Sequence, residues 1–121
     1  MKNMVNLKNN NYLSFIDNKD KQKISGIYGI MIEDELVYIG QSKDIVKRCK
    51  QHSYKIIKSE ENCKKYKSDF TPLYIEVRKA FYDNKHIKFV ILERVFYESS
   101  LKYIESYYIN KYSPRLNIHN W

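Results

Sequence analysis

The stretch SGIYGIMIEDELVYIG, residues 25–40, holds all three glycines of a chain of 121 residues. Residues 24–32 are almost wholly apolar, rich in β-branched and aromatic side chains, and too short for a buried helix. Such a run reads as a strand covered on both faces. Glu33-Asp34-Glu35 is a polar turn, and residues 36–41 read as a second strand, so the pair forms a hairpin. A central strand with two buried faces needs a covering layer on either side. Glycine within a strand marks a bulge or a close approach. The expectation is that the hairpin leaves room beside Gly29 and Gly40 for a ligand. With the turn at Glu33 or Asp34, Tyr28 and Tyr38 fall nearly opposite one another and share a face.

The rest of the chain supplies those layers. Ser42 is a candidate N-cap and Asp44 suits a first turn, opening a helix whose inner stripe is Ile45, Cys49, His52 or Ser53, and Ile56. Residues 58–70 are charged and read as loop. Thr71-Pro72 reads as an N-cap with proline at the first helical position. That helix runs through Leu73, Val77, Ala80 and Phe81 and ends at Asp83-Asn84. A third strand covers residues 86–95, with Phe89, Val90, Ile91 and Leu92 buried on both faces. Ser99 or Ser100 caps a last helix that Pro114 stops. The fold class is α+β, a three-stranded antiparallel sheet flanked by helices in the order β-β-α-α-β-α. Residues 1–23 form a polar N-terminal arm, in which Tyr12, Leu13, Phe15 and Ile16 suggest one or two docked helical turns; residues 24–121 form the domain.

Composition narrows the function. Hydrophobic residues make up 43% and charged residues 30%, a globular balance rather than a disordered one. No apolar run approaches the ~20 residues of a membrane span, and the N-terminus lacks the apolar centre of a signal peptide, so a cytoplasmic setting is expected. The net charge is +8, and six of those charges fall in residues 43–67. A cationic surface so concentrated suits a polyanion, although a solvated lysine face has the same composition. Lys43, Lys47, Arg48, Lys50, Lys55 and Lys58 are the candidate DNA contacts. Cys49, His52 and Cys63 have no common zinc-module spacing. Tyrosine occurs twelve times in a Lys-, Asn- and Ile-rich chain, so no single tyrosine carries weight by itself.

Two placements stand out. Glu105 lies on the apolar stripe of the last helix, with Leu101, Ile104, Tyr108, Ile109 and Tyr112. A carboxylate there costs several kcal/mol unless it is paired, metal-bound or open to a cleft. Arg48 and His52 share a face of the first helix at the border of its apolar stripe. One can fork onto a phosphate and the other can pass a proton near neutral pH; either can equally pack as an ordinary border residue.

Gly26-Ile27-Tyr28 followed by Tyr38-Ile39-Gly40 resembles the two name-giving motifs of the GIY-YIG nucleases. The resemblance continues through Arg48, His52, Glu105 in IESYYINKY and Asn117 in YSPRLN, and covers residues 24–117. It implies hydrolysis of DNA phosphodiester bonds with one Mg²⁺ or Mn²⁺ ion per site, held by Glu105. It implies that Arg48 grips the phosphate, that Tyr28, Tyr38 and His52 position and deprotonate water, and that Asn117 orients the phosphate or the glutamate. Among the tyrosines Tyr28 is the favoured base. The sequence departs from some relatives in having Gln41 in place of a lysine and no second histidine. With no separate DNA-binding module in view, affinity is expected from the domain, the arm, a second copy in a homodimer or a separate specificity protein. An inactive nucleic-acid-binding module that keeps the fold is the alternative.

Overall fold

The computed structural model describes residues 4–8, 11–14, 23–57 and 71–118. Its strands are β1 (Met4–Lys8), β2 (Asn11–Ser14), β3 (Gly26–Ile32), β4 (Glu35–Ser42) and β5 (Ile87–Arg94); its helices are α1 (Ile45–Ile57), α2 (Pro72–Tyr82) and α3 (Leu101–Tyr112). The expected three-stranded antiparallel sheet is present, with β3 between β4 and β5. Two further strands extend it to the order β1-β2-β5-β3-β4. Residues 11–14 are therefore extended, not helical. Their backbone pairs in parallel with the outer edge of β5, Leu13 opposite Ile87, where unpaired N–H and C=O groups invite another strand. Phe15, Ile16 and Lys58 lie outside the described residues.

The central strand behaves as its composition demands. Tyr28, Ile30 and Ile32 are buried under one layer and Ile27 under the other. One layer is α1 and α2, which close over Tyr28, Ile30, Ile32, Ile87 and Phe89 with Ile45, Cys49, Ile56, Val77 and Phe81. The other is α3, whose Leu101, Ile104, Tyr108 and Ile109 cover Ile27, Ile39 and Val95. In β5 Phe89 is buried, whereas Val90, Ile91 and Leu92 are only half-buried; Ile91 packs at the border of the α1–α2 core and Leu92 at the border of the α3 layer. Among the described residues no helix is long and apolar enough to cross a membrane.

Local signals explain the ends of the elements. The β3–β4 turn places Glu33 in the left-handed region at φ 54°. Asp44, rather than Ser42, caps α1: its carboxylate accepts from Lys47 N–H at 3.2 Å, while Ser42 Oγ accepts from Asp44 N–H at 2.9 Å. Thr71 caps α2 ahead of Pro72, as its sequence requires. Asn84 turns the chain at φ 66°, and Ser113 leaves α3 at φ 44°, one residue before Pro114.

Candidate active site

The site is built on β4 and the helices to either side. Tyr28 pairs with Gly40 and Tyr38 with Ile30; a register shift between Ile30 and Met31 moves Tyr28 off Ile39, the partner that the two-residue turn alone would give it. The two tyrosines are thus diagonal neighbours rather than directly opposed, on one face, with ring centroids 6.4 Å apart. The glycines do not leave open backbone. An alanine Cβ at position 40 would lie 2.5 Å from the Tyr28 hydroxyl and 2.6 Å from Cζ, so Gly40 is the seat of the Tyr28 ring. At Gly26 a Cβ would strike the Glu93 carbonyl oxygen, and at Gly29 it would meet Leu36 Cδ1 at 2.5 Å. Protein atoms occupy the space that the sequence suggested for a ligand.

His52 is the core of this face rather than its border. It is fully buried, with Nε2 2.6 Å from the Tyr28 hydroxyl and Nδ1 2.7 Å from the Tyr74 hydroxyl. Burial, reinforced by the charges of Arg48 and Lys55, pushes its pKa down to about 3, so the imidazole is neutral. Burial and the neighbouring Tyr38 push the Tyr28 phenol far above its ordinary value. Tyr38 is less enclosed. Its pKa is raised by burial first and by the Glu105 charge second, and lowered by Arg48.

Tyr38, Arg48, His52, Lys55 and Tyr74 line a cleft of about 640 Å³ with Leu73 and Leu116. Arg48 is half-buried there, steadied by a bond from Nη1 to Gln51 Oε1 at 3.1 Å, and forms no ion pair with a described residue. Lys55 reaches over the Tyr74 ring, 5.5 Å from its centroid. Lys47 and Lys50 are exposed on other faces of α1, and Lys43, ahead of the helix, pairs with Glu98 at 3.5 Å. The proposed DNA contacts therefore divide into a cleft pair, Arg48 and Lys55, and outward-facing lysines.

Glu105 sits on α3, against the sheet face opposite Tyr28. Its carboxylate reaches β4 at Gln41 and Tyr38: Gln41 Nε2 donates to Glu105 Oε1 at 3.2 Å, and the Glu105 charge acts on Tyr38. Asn117 holds that strand in place. Its Oδ1 accepts from Ile39 N–H at 2.7 Å and its Nδ2 donates to the Ile39 carbonyl at 2.8 Å, while Leu116 N–H donates to the Val37 carbonyl at 2.9 Å. Asn117 thus pairs with the backbone between Tyr38 and Gly40 as a further strand would. The six residues singled out in the sequence lie around β4 but not on one face: Tyr28, Tyr38 and His52 lie on the α1–α2 side with Arg48, and Glu105 lies on the α3 side, so Glu105 does not face Tyr28. Two more belong with them. Gln41 stood out in the sequence only as a departure; Tyr74 precedes Val77 by three and Phe81 by seven, a spacing that places it on the inner face of α2.

The carboxylate is suited to a hard cation. Glu105 is half-buried, keeps one oxygen free of Gln41, and forms no ion pair with a described residue. The described residues contain no cluster of three His, Cys, Asp or Glu that would cage a metal. A lone carboxylate completed by water suits Mg²⁺ or Mn²⁺, which retain most of their water ligands. It does not suit zinc: both His52 nitrogens are engaged, and burial pushes the Cys49 thiol up to about 12.

The sequence pattern of the GIY-YIG catalytic domain matches residues 24–117. This chain belongs to the GIY-YIG family. Among solved structures the GIY-YIG domain described here is similar to a mutant of bacteriophage T4 EndoII, with a TM-score of 0.63, 20% identity, and 95% of this chain and 87% of that chain covered. It also matches the GIY-YIG N-terminal endonuclease domain of UvrC from Thermotoga maritima, bound to its catalytic divalent cation, with a TM-score of 0.48, 14% identity, and coverage of 80% of this chain and 86% of that chain. The EndoII likeness is one of fold. No curated protein matches this chain.

Proposed function

We propose that this GIY-YIG domain is an endonuclease that hydrolyses DNA phosphodiester bonds with a divalent metal ion. The observation that carries the proposal is the convergence at β4. Tyr38 on β4 feels both the Arg48 guanidinium from α1 and the Glu105 carboxylate from α3; Arg48 and Tyr38 line the cleft, and Glu105 reaches the strand from its other face. Phosphodiester hydrolysis needs those groups: a forked donor for the phosphate, a group that orients water and a ligand for the cation.

The roles follow exposure. Arg48 binds the non-bridging phosphate oxygens, and its grip tightens as charge develops in the transition state. Of the two motif tyrosines Tyr38 is the one that lines the cleft, so it orients the attacking water. Tyr28 is 1% exposed with its hydroxyl committed to His52, so we assign it, with His52, to holding the site from behind rather than to accepting the proton of water. Asn117 and Gln41 position β4 and Glu105. Glu105 would hold Mg²⁺ or Mn²⁺, which when bound supplies positive charge at the leaving oxygen and offsets the carboxylate charge felt by Tyr38. Lys55 adds a phosphate contact in the cleft, and Lys43, Lys47 and Lys50 add outer contacts that position DNA without reading sequence. An intracellular setting, in phage, mobile-element, restriction or repair biology, fits this activity.

Supercoiled plasmid and single-stranded DNA, incubated with Mg²⁺, Mn²⁺ or EDTA, test it. Nicking that requires the metal is expected. Salt-sensitive binding without cutting under any condition would instead support a binding module that keeps the fold.

A further inference from the structure

His52 presents a problem of hydrogen bookkeeping. A neutral imidazole carries one N–H, so one ring nitrogen donates and the other accepts. Both nitrogens are bonded to phenol oxygens, Nε2 to Tyr28 at 2.6 Å and Nδ1 to Tyr74 at 2.7 Å. Two arrangements satisfy the imidazole. In the first, Tyr28 O–H donates to Nε2 and Nδ1–H donates to the Tyr74 oxygen. In the second, Tyr74 O–H donates to Nδ1 and Nε2–H donates to the Tyr28 oxygen.

The surroundings choose between them. Tyr28 is 1% exposed, and among the described residues His52 is the only hydrogen-bond partner of its hydroxyl. In the second arrangement the Tyr28 proton would point into Gly40 and the packed core with nothing to receive it. A buried unsatisfied donor is disfavoured. In the first arrangement Tyr28 spends its proton on His52, and Tyr74, which lines the cleft, accepts from His52.

We infer that Tyr74 is a positioning residue of the site: Tyr28, with no other described acceptor, holds His52 in the Nδ1–H form, and Tyr74 accepts that proton and so ties α1 to α2. The result is a directed line of hydrogen bonds, Tyr28 to His52 to Tyr74, joining β3, α1 and α2. Its middle member stands one turn beyond Arg48 on α1, and its rings pack against Tyr38, whose centroid is 6.1 Å from His52. Tyr74 therefore sets the angle at which α1 presents Arg48 to Tyr38. The catalytic consequence rests on the nuclease reading; the tautomer does not.

Nitrogen-15 NMR of the full-length protein, labelled at histidine, reads the tautomer directly. His52 is expected to show a protonated, pyrrole-type Nδ1 and an unprotonated, pyridine-type Nε2. An Nε2–H spectrum in the wild type overturns the inference without any variant. Tyr74→Phe keeps the ring and removes only the acceptor; His52 should stay in the Nδ1–H form because Tyr28 still donates to Nε2, while its Hδ1 resonance moves upfield, and an unchanged Hδ1 resonance overturns the role of Tyr74. In cleavage assays Tyr74→Phe should lower kcat about tenfold at unchanged KM for DNA, short of the ~100-fold that follows a full 1 Å misplacement. Loss confined to KM would overturn the positioning role. A wild type with the Nδ1–H signature that cuts no DNA would defeat the nuclease reading and leave the tautomer assignment standing.

Discussion

Gly40→Ala is predicted to destabilise the domain by an amount that reports on the seat of the Tyr28 ring. The new Cβ would lie 2.5 Å from the Tyr28 hydroxyl oxygen, 2.6 Å from Cζ and 2.9 Å from Cε1. The ring has no free direction in which to retreat, because it is 1% exposed and its hydroxyl is bonded to His52 at 2.6 Å. Overpacking of this kind costs about 1–3 kcal/mol. Displacing the ring also loses the Tyr28–His52 bond, about 1 kcal/mol. The lower chain entropy of alanine in the unfolded state returns roughly 0.5–1 kcal/mol. The net loss is about 2 kcal/mol, which for a domain of this size lowers Tm by roughly 10 °C. Thermal and urea unfolding of four proteins, wild type, Gly40→Ala, Tyr28→Leu and the double variant, isolate the contact as a coupling energy. In the Tyr28→Leu background the alanine should cost less than about 0.5 kcal/mol. A Gly40→Ala protein as stable as wild type, or the same loss in both backgrounds, would refute the account of this glycine.

Other perturbations have separate readouts. Arg48→Ala should lower kcat by about 10²–10³, the range for loss of one transition-state donor, and Arg48→Lys should recover only part because it lacks the fork. Asn117→Ala removes both side-chain bonds to Ile39 and should cost about 1–3 kcal/mol in urea unfolding; an unchanged midpoint would show that β4 needs no clamp there. His52 has a pKa of about 3 in the fold against an ordinary 6.5, so the unfolded chain binds its proton first. Stability from this group is complete above pH 6.5 and is lost as pH falls toward about 3; His52→Phe should flatten that part of the stability profile. DNA binding should weaken steeply with salt, and Lys47→Ala with Lys50→Ala should reduce the slope while leaving kcat unchanged.

Much of this was legible because it follows from pattern. The apolar, β-branched run through Ile27 and Ile30 can only be a strand covered on both sides, and Thr71-Pro72 and Ser113-Pro114 mark a start and a stop that backbone chemistry dictates. What the sequence hides is geometry without a composition signal. A bulge after Ile30 moves the partner of Tyr28 from Ile39 to Gly40 and so brings Tyr38 to the diagonal on the same face, and no residue type announces it. His52 reads equally well as a border residue or a core one, because only the phenols of Tyr28 and Tyr74 make its burial tolerable. Glu105 was legible as a misplaced carboxylate, but not its approach from the far face of the sheet, which depends on β4 being an edge that side chains can reach around. Gln41 and Asn117 gain their roles only from contacts 64 and 78 residues distant in the chain. Periodicity reports which face a residue occupies; it does not report which distant groups arrive there.

The central claim is that Glu105 holds the ion for a cut made at β4. Glu105→Gln keeps the size of the side chain and its bond with Gln41 while removing the charge, so its direct test pairs Mn²⁺ binding, followed by electron paramagnetic resonance, with nicking of supercoiled plasmid. The account predicts that the variant folds, still binds DNA, loses Mn²⁺ and no longer nicks. A variant that nicks as fast as wild type, or that binds Mn²⁺ equally well, would contradict the assignment of this site.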